Sequence, residues 1–184
     1  APSYSEEALN LLKAKAKRVL LAWNIESPLN QTTERSVLNG KLMQEADNKN
    51  VAKEDLSWPT KLKATTKQLE DLLFADKLVK NTKSNAIVLV KDKQLLASGT
   101  GQTSRVDALR QAINKAKSFK LGLNGAVMAS DAFFPFPDCV EIAGEEKIAA
   151  IIQPGGSIKD NLSIEAADSL GIAMAHTGVR HFKH

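Results

Sequence analysis

Ala86-Ile87-Val88-Leu89-Val90-Lys91-Asp92-Lys93-Gln94-Leu95-Leu96-Ala97-Ser98-Gly99 is the stretch from which the fold is read. Residues 86–90 are apolar and β-branched over the length of a strand. Residues 91–94 are polar and turn-like, and residues 95–98 are apolar again, so the stretch predicts a β-hairpin. On its amino-terminal side, Leu69, Leu72, Leu73, Asp76 and Val79 recur at helical spacing, predicting a helix over 66–79. On its carboxy-terminal side, Ser104 can cap a helix over 105–119. Strands and helices then alternate: strand 126–129, helix 138–147, strand 148–152, mostly helix over 157–170 closed by Gly171, and a last strand at 172–175. Such alternation predicts a three-layer α/β/α fold with a mixed, mostly parallel sheet and helices on both faces. The hairpin adds one antiparallel strand.

The preceding 65 residues are less regular and read as a lead-in and connecting segment, with the α/β lobe occupying 66–184. Ser5 and the acidic Glu6 and Glu7 open a helix. Val19-Leu20-Leu21-Ala22-Trp23 predicts a short buried strand. Residues 24–34 read as loop, 37–43 as an extended segment broken at Asn39-Gly40, and 45–63 as an irregular connection.

A chain of 184 residues, 43% hydrophobic and 25% charged, is ordinary for a globular protein. The single cysteine, Cys139, excludes a disulfide framework within one chain and fits a reducing compartment. No apolar run approaches the roughly 20 residues that span a bilayer, and no signal peptide opens the chain, so a soluble, cytoplasmic protein with no membrane partner is expected. The net charge of +4 is mild, and aromatic residues make up only 5%. The dense basic run Lys13-Ala14-Lys15-Ala16-Lys17-Arg18 alternates with alanine and reads as a solvated helix end, so no nucleic-acid partner is expected. A small anionic ligand held by two or three arginines accounts for the charge more economically.

In sheets of this kind ligands bind beyond the carboxyl ends of the strands. The unusual residues of this chain lie in those loops. Lys83-Ser84-Asn85 precedes the hairpin, and Gly99-Thr100-Gly101-Gln102-Thr103-Ser104-Arg105 follows it. The second combines glycines that allow close backbone approach, a helix start with free amides, and a guanidinium suited to phosphate. It is neither a Walker A loop nor a dinucleotide fingerprint. Ser130-Asp131-Ala132-Phe133-Phe134-Pro135-Phe136-Pro137-Asp138 predicts an aromatic wall flanked by carboxylates. Gln153-Pro154-Gly155-Gly156-Ser157 repeats the glycine-then-cap design, so two helix starts could face one pocket. The tail holds Arg180 and all three histidines, His176, His181 and His184, at a spacing that does not read as a metal site.

Taken together these segments resemble the transformylase domain of the bifunctional purine biosynthesis enzymes, which formylate aminoimidazole carboxamide ribonucleotide (AICAR) and close the ring to inosine monophosphate. The resemblance is carried by Lys-Ser-Asn-Ala at 83–86, Gly-x-Gly-Gln-x-Ser-Arg at 99–105, Ser-Asp-Ala-Phe-Phe-Pro-Phe at 130–136, Pro-Gly-Gly-Ser at 154–157 and Arg-His-Phe-Lys-His at 180–184. Upstream, Arg35, Gly40, Leu42, Gln44 and Asp47 are similar to a further family segment, with Asn39 in place of a glycine. Pro137 stands where the family commonly has arginine. The resemblance implies a cytidine-deaminase-like fold for the lobe, without a deaminase's zinc motif. It places the chain in the carboxy-terminal half of the transformylase domain, lacking the lysine–histidine pair of the first lobe.

The resemblance also implies roles. Arg180 and Arg105 would sit near the nucleotide's phosphate and ribose. Asn85 would hydrogen-bond the formyl oxygen, and His184 would lie near the reacting groups. Phe133, Asp138 and Ser157 would line the folate and imidazole pocket, with Gln102 and Asp131 among the substrate-binding residues. The formyl donor would be 10-formyltetrahydrofolate, with no metal. The expected partners are AICAR, folate, and either a second copy of the chain or the missing first lobe. The competing expectation is a purine-nucleotide or folate binding module that retains the pocket and catalyses nothing.

Overall fold

The structure, a computed structural model, describes residues 1–23 and 32–183, and divides into two compact units, Ala1–Asn48 and Lys49–His184. In the first unit, Ser5 Oγ accepts from the Ala8 amide and starts helix α1 (Glu6–Lys13). Strands β1 (Thr32–Val37) and β2 (Gly40–Glu45) form an antiparallel hairpin that turns at Leu38-Asn39. Of the loop expected over 24–34, residues 24–31 lie outside the described residues and 32–34 belong to β1. The expected buried strand at 19–23 is not formed. Those residues are irregular, with Val19 89% and Trp23 61% exposed. Among the described residues their bonds are isolated ones, Tyr4 Oη and the Ala1 amino group to the Leu21 carbonyl and the Trp23 amide to the Ala1 carbonyl, with no strand alongside to complete a ladder.

The second unit is the three-layer lobe. After a 3-10 turn at Lys53–Asp55 come α2 (Thr66–Lys80), β3 (Ile87–Lys91), β4 (Gln94–Gly99), α3 (Arg105–Ser118), β5 (Val127–Ser130), α4 (Asp138–Glu145), β6 (Ala150–Gln153), α5 (Asp160–Leu170) and β7 (Ala173–His176). The sheet order is β4-β3-β5-β6-β7. β3 is antiparallel to both β4 and β5, while β5, β6 and β7 are mutually parallel. Four strands therefore share one direction and β3 alone opposes them. This is the mixed, mostly parallel sheet that the alternation predicts.

The strands are buried on both faces, and alternation along each one sorts the faces. Ile87, Leu89, Met128, Ile151 and Met174 meet α3, α4 and α5 on one side. Val88, Val90, Ala129, Ala150, Ile152 and Ala173 meet Leu72, Ala75 and Val79 of α2 on the other. Helix α2 covers that second face, joined by Leu56 and Trp58 from the irregular connection. That connection also shields the β7 edge. Ser57 exchanges two backbone bonds with His176, and Thr60 Oγ1 accepts from the Met174 amide. Composition alone does not reveal this, because an edge-covering segment needs few apolar residues to satisfy a strand's amides.

The β3–β4 turn places Asp92 and Lys93 in the left-handed region, at φ 54° and 57°. Two-residue hairpin turns of this hand favour Asn and Gly at those positions. Here the buried Asp71 on α2 holds the turn, accepting from the Asp92 amide at 2.9 Å and the Lys93 amide at 2.7 Å. Asp71→Ala should therefore lower stability by about 2 kcal/mol, the usual worth of hydrogen bonds to a charged group. Glu70→Ala, which breaks only the exposed ion pair to Lys93, should leave the urea midpoint unchanged.

Candidate functional site

Because β3 runs against its neighbours, its beginning lies at the edge where β4, β5, β6 and β7 end. Ile87 pairs with Gly99 on one side and Ser130 on the other, and Gln153 pairs with His176. All the chemistry-bearing loops thus emerge at one edge of the sheet. Three of them are joined directly. The Asn85 backbone exchanges bonds with Gln102, the Gly101 amide donates to the Lys83 carbonyl, and the tail pairs with Ser84 through the Lys183 carbonyl and amide.

Arg105 opens α3, and α3 lies very close to β4. A Cβ on Gly99 would fall 1.8 Å from the Ala108 carbonyl oxygen, so only glycine allows this approach. The Arg105 side chain, 15% exposed, reaches Asp131, which is fully buried, with Nη2 3.5 Å from Oδ1. At that separation no hydrogen bond forms. Arg105 Nε and Nη2 and both carboxylate oxygens of Asp131 are buried without a hydrogen-bond partner among the described residues. Burial pushes the Arg105 guanidinium below its ordinary pKa. Asp131 opposes that shift and the positive charge of Arg180 adds to it. Nearby Cys139 is pushed up to about 12, chiefly by burial, so it is an inert thiol.

Arg180 is exposed and lies over two rings, 3.9 Å from the centre of Phe182 and 5.9 Å from that of Phe133. The tail reaches this position because the His181 amide donates to the Asp131 carbonyl and its ring packs 3.6 Å from Asp76 on α2, both side chains being buried. Asp131 thus meets both arginine-bearing segments. Its carboxylate faces Arg105, and its carbonyl anchors the residue after Arg180.

The remaining expected site residues are placed as follows. Asn85 is half-buried, and its Nδ2 donates to the carbonyls of Gln102 at 3.0 Å and Thr103 at 3.2 Å. Gln102 folds back, its Nε2 bonding Thr100. Asp138 begins α4 and accepts from the Cys139 amide, and Ser157 Oγ accepts from the Lys159 amide. His184 lies outside the described residues. These contacts join Arg105, Asp131, Phe133 and Arg180 in one group and Asn85 with Gln102 in a second. Among the described residues, Asp138 and Ser157 bond their own chain neighbours.

One expectation needs correction. The three phenylalanines do not form one wall: Phe134 is fully buried in the core, Phe136 is 51% exposed beneath Lys159, and Phe133 alone meets an arginine. These residues lie in an irregular loop after β5, where no strand periodicity aligns the rings. Near the two helix starts, one backbone amide of each segment is held from within. The Asp107 amide donates to Ser104, and the Gly156 amide donates to Asp160 at 2.6 Å. Sequence reasoning missed the roles of Asp76, His181 and Phe182. Asp76 gave a signal, since it is a charge set within the apolar stripe of a helix. Among the described residues no group of His, Cys, Asp and Glu could hold a metal ion, and no helix is long and apolar enough to cross a membrane.

The AICARFT/IMPCHase bienzyme family model matches residues 1–115. The chain belongs to that family. Over its whole length it is 58% identical to the bifunctional purine biosynthesis protein PurH of Bacteroides thetaiotaomicron, covering 36% of that protein. It is 49% identical to the proteins of the same name from Caldicellulosiruptor saccharolyticus and Aquifex aeolicus, covering 35% and 36% of them. The chain thus spans about a third of the length of these family members. Its structural neighbours include the dCMP deaminase from the cyanophage S-TIM5 (TM-score 0.43, 16% identity, 54% of this chain and 88% of that one). Another is a diaminohydroxyphosphoribosylaminopyrimidine deaminase/5-amino-6-(5-phosphoribosylamino)uracil reductase from Thermotoga maritima (TM-score 0.39, 23% identity, 61% and 35%).

Two stability measurements test this geometry. Asp131→Ala leaves the guanidinium of Arg105 without its counter-charge in a largely dry niche, and should cost about 3 kcal/mol in denaturant unfolding. Burial holds the His176 pKa below 6.5, with Asp160 opposing the shift. The native state then binds fewer protons than the unfolded chain. The stabilisation from neutral His176 should be complete above pH 6.5 and be lost as pH falls from there towards the lowered native value. His176→Gln should remove that dependence, leaving a difference between the two unfolding curves that changes only in this window.

Proposed function

We propose that this chain is the carboxy-terminal half of the transformylase domain of its family, and that it binds substrate for formyl transfer from 10-formyltetrahydrofolate to AICAR in the cytoplasm. The observation that carries the reading is the pair of arginines at one sheet edge. Arg105 keeps buried N–H groups unpartnered beside Asp131, and Arg180 lies over Phe133. A planar ligand carrying an anionic group would suit that set: the ring against Phe133, the anion against the two guanidinium groups.

The donor would supply the activated formyl carbon, and the chain's residues would position and stabilise. Asn85 would exchange the longer of its two amide bonds, that to Thr103, for the developing oxyanion. Asp131 would hold Arg105 in place rather than touch the ligand, since its carboxylate is fully buried. Asp138, Ser157 and Gln102 would line the folate and imidazole side, and His184 would approach the reacting amine from the tail. The amine must lose a proton, and the base would come from the partner lobe. A second copy of the chain or that missing lobe would complete the site.

One observation favours the competing reading of a pocket without catalysis. Both N–H groups of Asn85 are already engaged by backbone carbonyls. A formyl-transfer assay separates the two readings. The chain is mixed with a polypeptide carrying the rest of a relative such as the B. thetaiotaomicron protein. Transfer should appear only in the mixture, and Asn85→Ala should lower it by about a hundredfold. Binding of AICAR with no transfer in any mixture would leave the binding module. No binding of either AICAR or the folate would dismiss both.

A further inference from the structure

Beneath the turn at residues 154–157, each hydrogen bond has a direction, and together they determine the protonation of one imidazole. Gln153 ends β6 and His176 ends β7, side by side in the parallel register. The Gly155 amide donates to Gln153 Oε1 at 3.1 Å. Only the oxygen end of a carboxamide can accept, so this bond decides which way the Gln153 side chain points. Its nitrogen end then faces His176, with Nε2 to Nε2 at 2.9 Å, and also meets Met174 Sδ at 3.5 Å. The Gln153 nitrogen has only hydrogens to offer. His176 Nε2 must therefore present a lone pair, which in a neutral ring leaves the proton on Nδ1.

The turn is built tightly onto this ring. Gly155 has φ +71°, and a Cβ there would lie 2.5 Å from His176 Nδ1, so the backbone closes over that edge of the imidazole. The next amide, of Gly156, is held by Asp160 Oδ2. Asp160 on α5 is the charged group whose field reaches the ring among the described residues, and Ser57, on the open side of β7, presents its backbone.

We propose that Gln153 and His176 are positioning residues that set the shape of the turn at residues 154–157, with the imidazole neutral and its proton on Nδ1. The functional consequence rests on the reading that Ser157, carried by this turn, lines the folate and imidazole pocket. A proton on Nε2 would set two N–H groups head to head at the 2.9 Å contact. Rotating the Gln153 amide would relieve that clash but break its bond to Gly155. The charge of the ring is thereby transmitted to the turn. Burial of the ring favours the same neutral form.

The test is nitrogen-resolved NMR of the histidine rings in the 184-residue chain at neutral pH, with amide exchange measured at Gly155. His176 should carry its proton on Nδ1. In Gln153→Glu the carboxylate accepts at both oxygens, so the ring proton should move to Nε2 and the pKa of His176 should rise by about one unit or more. His176→Gln supplies a replacement acceptor and should keep the Gly155 amide protected, whereas His176→Ala should lose roughly tenfold of that protection. A proton on Nε2 in the unaltered chain overturns the proposal, as does full Gly155 protection in His176→Ala. The tautomer measurement needs no variant, so it decides the matter even where a substitution unfolds the chain. It also needs no ligand. A chain with the expected tautomer and protection that failed to support formyl transfer would count against the functional reading and uphold the positioning role.

Discussion

The reversed strand β3 governs where everything else can be. It sits between β4 and β5, antiparallel to both, so its first residues lie level with the last residues of four other strands. Had β3 run with its neighbours, Asn85 would lie at the far edge, a strand length from Asp131. Hydrogen bonding enforces the reversal, because a two-residue turn at Asp92-Lys93 can only join antiparallel strands. Asp71, reaching from α2, makes that turn tolerable for residues that rarely adopt its backbone conformation.

The edge so created is organised around Asp131. Its carboxylate gives Arg105 a counter-charge, and its carbonyl receives the tail one residue after Arg180. A buried ion pair that falls short of hydrogen-bond contact is a poor source of stability, since desolvation costs are met only by good geometry. What it supplies is an arginine whose N–H groups stay oriented and unspent. The packing of α3 serves the same end: Gly99 lets the helix approach β4 closely, and Arg105 leaves the helix at its first residue.

Much of the lobe was legible from periodicity. Helices α2, α3 and α5 and strands β3 to β7 lie where apolar spacing put them, within a residue or two at most ends. The principal exception is the start of α5, expected at residue 157 and found at Asp160. The failure at residues 19–23 shows the boundary of that method. An apolar run forms a strand only if another strand accepts its amides, and a local pattern carries no information about that partner. The same boundary appears at the site. A loop of three phenylalanines suggested one wall, yet each ring has a different environment, because direction depends on what lies across from each residue.

The chain's residue order by itself determined the layer architecture, the one reversed strand, the loops that carry chemistry and the family, since each rests on local spacing or on motifs read in order. Only the tertiary structure decided that Asp131 faces Arg105, that Arg180 lies over Phe133, that Asp76 meets His181 and that Gln153 meets His176. Those pairs join residues 23 to 105 positions apart. Burial and hydrogen-bond direction, which act across space rather than along the chain, select them.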